Sequence, residues 1–137
     1  MNFTFSLPPT TNSAYANRQT GGRILTQEAR AWKEEAGWIV KSSGRSFDLA
    51  AKYKLFIALY VNRDRDIDGS LKLLLDAMSG VVYDDDAQVV VLVVYKFLKH
   101  PGEEPRVEVE ITELAETAHT GTAPHFPGTI KKRRTTR

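Results

Sequence analysis

Seven aspartates fall between Asn62 and Asp86, out of 17 acidic residues in a chain of 137: Asp64, Asp66, Asp68, Asp76, Asp84, Asp85 and Asp86. One lysine, Lys72, sits among them at helical spacing from Asp68 and Asp76, so on a helix the three share a face. Like charges held together cost free energy. Two carboxylates at ~4 Å repel by roughly 4 kcal/mol at an effective dielectric near 20. A fold that gathers them needs a proton, a cation or a divalent metal to offset that repulsion. Aspartate oxygens are the usual protein ligands of magnesium. A magnesium ion so held lowers the pKa of a bound water and neutralises phosphate charge, and a lysine beside it stabilises charge developing in the transition state. The chemistry this set points to is magnesium-assisted phosphodiester hydrolysis.

Blander readings account for parts of the segment. Asp64-Arg65-Asp66-Ile67-Asp68-Gly69 resembles the first half of a calcium loop of the EF-hand type. Its twelfth position, which needs a bidentate glutamate, is Leu75, and the preceding segment reads as strand rather than helix. Asp68 could simply cap a helix, and Asp84 to Asp86 taken alone could be a solvated turn. Neither reading explains the whole combination with Lys72. No Ser-His-Asp or Cys-His nucleophile can be assembled. There is no P-loop or dinucleotide fingerprint, and His100, His119 and His125 fall in loop and tail.

The elements that must position these residues follow from periodicity. Phe3 to Leu7 alternates as a strand, which Pro8-Pro9 ends. Thr10 to Arg23 reads as a loop carrying Tyr15, Arg18 and Arg23, candidates for contact with a phosphate backbone. Thr26 is the expected N-cap of a helix to about Ser42, with Ala29, Trp32, Ala36, Ile39 and Val40 as its apolar stripe. Trp32 and Trp38 are both taken as packing residues. Tyr53 to Val61 is a strand. A helix is predicted from Asp68 to Ser79, with Leu71, Leu74, Leu75 and Met78 inward and Gly80 after its end. Gln88 to Lys99 is the longest apolar run and reads as a central strand buried on both faces, or one that also meets a partner subunit. His100 to Pro105 is expected to be a hairpin loop joining it to a half-exposed strand from Arg106 to Ile111. The fold class is therefore α+β: a small mixed sheet in β-α-β-α-β-β order, with the helices on one face.

Composition bounds the rest. A hydrophobic content of 42% suits one globular domain. There is no apolar run long enough for a membrane helix, no visible secretory leader, and no cysteine, which together fit a cytoplasmic protein. The net charge of +2 is uneven. From Leu114 onward five basic residues oppose one acid, a net of +4, whereas the preceding residues carry −2. Residues 1–113 are expected to form the domain and 114–137 a disordered basic tail, which is either a phosphate contact or a solvated end.

The run Arg65-Asp66-Ile67-Asp68, then Lys72, Leu75-Asp76-Ala77 and Gly80-Val81-Val82-Tyr83-Asp84-Asp85-Asp86-Ala87-Gln88-Val89, resembles the RusA family of Holliday junction resolvases. Leu7-Pro8-Pro9-Thr10 with Asn12 and Tyr15 is similar to the family's opening, and Arg106 to Ile111 to its final strand. The resemblance covers roughly residues 3–113. It implies that Asp66, Asp68 and Asp86 are the metal-binding carboxylates and Lys72 the essential lysine, with Asp85 and Asp76 as supporting acids. It places Arg65 among the DNA contacts, which adds to Arg18 and Arg23, read from the loop, and to Lys72. It further implies a homodimer that nicks a four-way DNA junction symmetrically, using Mg2+ with Mn2+ able to substitute, in recombination and repair. The family usually has asparagine where this chain has Gly69. The alternatives are a catalytically weakened branched-DNA-binding protein of the same fold, or a calcium-binding module.

Overall fold

The computed structural model describes residues 1–10, 14–17, 21–64 and 66–115, without the side chains of Asn17, Arg23 and Asp68. Six strands and two helices occur in this part: β1 (Asn2–Ser6), β2 (Tyr15–Asn17), β3 (Arg23–Leu25), α1 (Gln27–Ser42), β4 (Lys52–Val61), α2 (Leu71–Met78), β5 (Val89–Leu98) and β6 (Arg106–Leu114). Short 3-10 turns at Asp68–Ser70 and Asp86–Gln88 bracket α2 and the acidic turn after it. The architecture is α+β. The main sheet has the order β1-β6-β4-β5, while β2 and β3 form a separate antiparallel ribbon. None of the described helices is long and apolar enough to cross a membrane. The expected tail lies, from residue 116, outside the described residues.

β4 is the middle of this sheet because both of its faces are apolar. Tyr53, Leu55, Ile57, Leu59 and Val61 are fully buried against the helices, together with Phe3, Phe5, Val107, Val109 and Ile111 from β1 and β6. Phe56, Ala58 and Tyr60 project from the opposite face. β4 pairs antiparallel with β6 and parallel with β5. Two sequence expectations are corrected here. β5 and β6 are not hairpin partners, because β4 lies between them. The loop from Lys99 to Pro105 crosses the end of β4, where the Lys99 N–H donates to the Val61 carbonyl at 2.9 Å. Nor is β5 buried on both faces. It is an edge strand that exposes Val90, Leu92, Tyr95, Phe97 and Leu98. An apolar run reports that burial is favourable without saying which surface does the burying.

α1 forms where its cap and stripe place it. The Thr26 hydroxyl accepts from the Ala29 N–H at 3.3 Å, satisfying one of the free donors of the first turn of α1. Ala29, Trp32, Ala36 and Val40 are buried, and the Trp32 indole donates to the Ser6 carbonyl at 2.9 Å, tying α1 to β1. Trp38 departs from its expected packing role, since it is 69% exposed on the outer face of α1. The stripe of α2 is rotated slightly from its expected position, so that Leu73, Leu74, Ala77 and Met78 are buried while Leu71 and Leu75 are partly covered. Gly80, at φ +82°, turns the chain out of α2 in a conformation that favours glycine. The segment read as loop holds the β2–β3 ribbon, too short for alternation to reveal.

Leu74 of α2 is fully buried in the core. Leu74→Ala is expected to lower unfolding stability by about 2–5 kcal/mol, read from urea midpoints at unchanged slope. A cost under 1 kcal/mol would show that this core is not closely packed.

Candidate active site

The acidic segment occupies the crossover from β4 to β5. Asp64 and Asp66 follow the C-terminal end of β4, whereas Asp84, Asp85 and Asp86 precede the N-terminal end of β5. Because the strands are parallel, with Tyr53 beside Val89 and Val61 beside Leu98, these two ends lie roughly 26 Å apart along the sheet at ~3.3 Å per residue. α2 covers about 12 Å of the return. Asp68 starts the 3-10 turn leading into α2, and Lys72 and Asp76 lie one and two helical turns further along.

The turn that presents Asp84 to Asp86 is held by Gln88. Its side-chain oxygen accepts from the N–H groups of Asp84 and Asp85 at 3.0 and 2.9 Å, and its amide donates to the carbonyls of Leu49 and Ala51 at 2.7 Å each. Asp85 caps the following 3-10 turn by accepting from the Ala87 N–H at 3.2 Å. Tyr83 locks the turn to α2: its hydroxyl donates to the Leu75 carbonyl at 2.7 Å, one of the last four carbonyls that a helix leaves without a partner.

The structure brings together two overlapping groups. In the first, the charges of Asp76, Asp85 and Asp86 all act on Tyr83, whose hydroxyl is bound to the Leu75 carbonyl. Burial raises the tyrosine's pKa well above its ordinary value, and the negative charges of Asp86, Asp76 and Asp85 add to the rise. Asp86 is itself pushed up, first by its hydrogen bond with Asp85, then by desolvation and by the charges of Asp85 and Asp76. Asp85 is held below the usual carboxylate range, chiefly by the Ala87 N–H and then by the Asp86 side chain. In the second group, Tyr15 of β2 reaches α2. Its hydroxyl donates to the Asp76 carboxylate at 3.3 Å, and the Lys72 ammonium lies 4.8 Å from the centroid of its ring. Asp76 belongs to both groups.

The other predicted site residues are placed less closely. Asp66 is exposed. The side chain of Asp68 and all of Arg18 and Arg65 lie outside the described residues, and of Arg23 only the backbone, in β3, is described. Asp64 pairs with Lys96 of β5. Among the described residues no three acidic or histidine side chains form a group able to hold a metal. Magnesium does not require such a cage, because it keeps several waters and takes one or two carboxylates. The donors present fit it in kind: they are hard carboxylate oxygens, exposed or half-exposed, and Asp86 is raised first by its hydrogen bond with Asp85 and then by desolvation and the neighbouring charges. Two partners of the site were not singled out as such from sequence, Tyr83 and Gln88. Only their adjacency to the acidic triplet could have marked them.

A crowded set of oxygen donors with an ammonium group close by is the equipment that metal-assisted phosphodiester hydrolysis uses. Residues 6–112 match the family described as Endodeoxyribonuclease RusA, and the chain belongs to that family. It is accordingly a nuclease. Similar proteins include the crossover junction endodeoxyribonuclease RusA of Escherichia coli K12, 30% identical over 117 residues that make up 82% of this chain and 95% of the relative. The enzyme of the same name from Enterobacteria phage 82 is 31% identical over 110 residues, 77% of this chain and 89% of the relative.

The raised pKa of Asp86 fixes a sign. A carboxyl whose folded pKa lies above its unfolded value destabilises the native state once ionised, and that penalty disappears as pH falls below the unfolded pKa. Asp86→Asn is therefore expected to melt above the parent protein at pH 7 in low salt without divalent ions, with the gap closing towards pH 3. A variant that melts lower at pH 7 would refute the cost of an ionised Asp86 inferred at this turn.

Proposed function

We propose that the protein is a magnesium-dependent endonuclease that resolves four-way DNA junctions by paired, symmetric nicks, working as a homodimer in recombination and repair. The observation that carries this reading is the electrostatically coupled Asp76, Asp85 and Asp86, linked through Tyr15 to Lys72, in a chain of the RusA family. Asp66, Asp68 and Asp86 are the residues assigned to hold the ion, with Asp85 and Asp76 supporting them. Bound there, magnesium supplies charge neutralisation at the phosphate and a water of lowered pKa. The chain's own part is electrostatic. The Lys72 ammonium stabilises negative charge as it develops on the phosphate oxygens. Gln88 and Tyr83 hold the acidic turn against the segment that leads into β4 and against α2, so that its carboxylates need not reorganise during the reaction. Arg65, Arg18 and Arg23 are the proposed phosphate contacts.

The dimer reading is supported by β5. Its outer edge has no strand partner among the described residues, and it exposes a row of apolar side chains. Such an edge invites pairing with another chain. A groove on the same side of the sheet is lined by the aromatic rings of Phe56, Tyr60, Tyr95 and Phe97. A two-fold dimer presents two equivalent sites to a two-fold junction.

Asp66→Asn, Asp68→Asn, Asp86→Asn and Lys72→Ala are each expected to abolish cleavage of a synthetic mobile junction while preserving binding, and EDTA is expected to do the same to the parent protein. Full-speed cutting by Asp68→Asn would remove it from the ligand set.

The second reading, a weakened branched-DNA-binding protein, rests on Gly69. Among the described residues, a Cβ added there would meet the Thr10 Cβ at 3.9 Å, an ordinary contact. Gly69→Asn is therefore expected to fold normally. A parent protein that binds junctions without cutting them, and gains cleavage on Gly69→Asn, would establish this reading over the first.

A further inference from the structure

We propose that Tyr15 is a positioning residue for Lys72, with its ring seating the ammonium group and its hydroxyl anchored on Asp76. The functional half of this inference rests on the reading of Lys72 given above. A lysine on an exposed helix face carries substantial side-chain rotamer entropy. Left alone, it samples many positions or falls onto the nearest carboxylate. For Lys72 one such carboxylate is Asp76, one helical turn further on, where a direct ion pair would form in the less favourable order, lysine before acid. The ion pairs of the described residues are Lys96 with Asp64 and Arg106 with Glu103 and Glu108. Lys72 and Asp76 do not pair with each other.

Tyr15 stands between the two instead. The Lys72 ammonium lies 4.8 Å from the ring centroid, within the range where the electron-rich face attracts a cation. The hydroxyl donates to Asp76 at 3.3 Å. One aromatic side chain thus restrains both charged groups while neutralising neither. The ammonium keeps its hydrogen-bond donors for a phosphate oxygen, and the carboxylate keeps its charge.

The platform is itself fixed. Tyr15 lies opposite Leu25 in the β2–β3 ribbon. Its neighbour Ala14 is fully buried, and the Ala14 carbonyl accepts from the N–H of Thr26, the cap of α1, at 2.8 Å. A segment that reads as loop in the sequence therefore braces one aromatic ring against α2.

The test is spectroscopic first. With lysine labelled at the ε-carbon, the ε-methylene of Lys72, assigned by its loss in Lys72→Arg, is expected upfield of the other lysines because it lies over the ring. Tyr15→Leu should return it to the common position, and Tyr15→Phe should keep it upfield. An unshifted Lys72 signal, or one indifferent to Tyr15→Leu, overturns the proposal whether or not the protein cuts DNA. In single-turnover cleavage of a mobile junction at saturating protein, Tyr15→Leu should be slower by about tenfold or more, with junction affinity within twofold of the parent and most of the rate restored in Tyr15→Phe. A shift lost on Tyr15→Leu with no change in rate would refute the positioning role in catalysis. A Lys72 signal that behaves as expected in a protein that cuts no junction would instead count against the endonuclease reading.

Discussion

Parallel strands cannot be joined by a tight turn. Pairing β4 with β5 in parallel obliges the chain to return along the sheet, and residues 62–88 make that return. All seven clustered aspartates and Lys72 lie in this stretch or at its ends. The site is therefore a property of the crossover. β4, buried in the middle of the sheet, supplies the fixed reference, and α2 supplies the lever that sets the height of each charge above it. The same pairing sends the two acidic stretches to opposite ends of the strands, so α2 and its neighbours must shorten the distance between them.

Charge organisation at the crossover depends on small neutral groups. Gln88 holds the acidic turn through four hydrogen bonds to backbone groups. Tyr83 satisfies the end of α2 while feeling the charge of three carboxylates. Tyr15 separates a cation from the anion one turn away. None of these residues carries a formal charge near neutrality, yet each decides where a charge may rest.

Much of this was legible in the sequence, for identifiable reasons. The helix after Thr26 was readable because cap and stripe agree, and the strand from Tyr53 because alternation over many residues has one solution. The position of β5 was not, because a run of valines is equally apolar on an edge and in the middle. The β2–β3 ribbon was hidden because three residues per strand carry no period. The aspartates, Lys72 and Asp76 were legible as a candidate set because like charges seldom gather without cause. The role of Asp76 as the acid shared by both groups was not, because it depends on where Tyr15 and Asp86 arrive in space.

The two tryptophans differ in surroundings far more than their spacing on one helix suggests. Trp32 is 6% exposed and bound to the Ser6 carbonyl, whereas Trp38 is 69% exposed and faces water. Their fluorescence therefore separates cleanly. A collisional quencher in solution reaches one indole and spares the other, so a single native chain reports the integrity of its interior and the accessibility of its outer helix as independent signals.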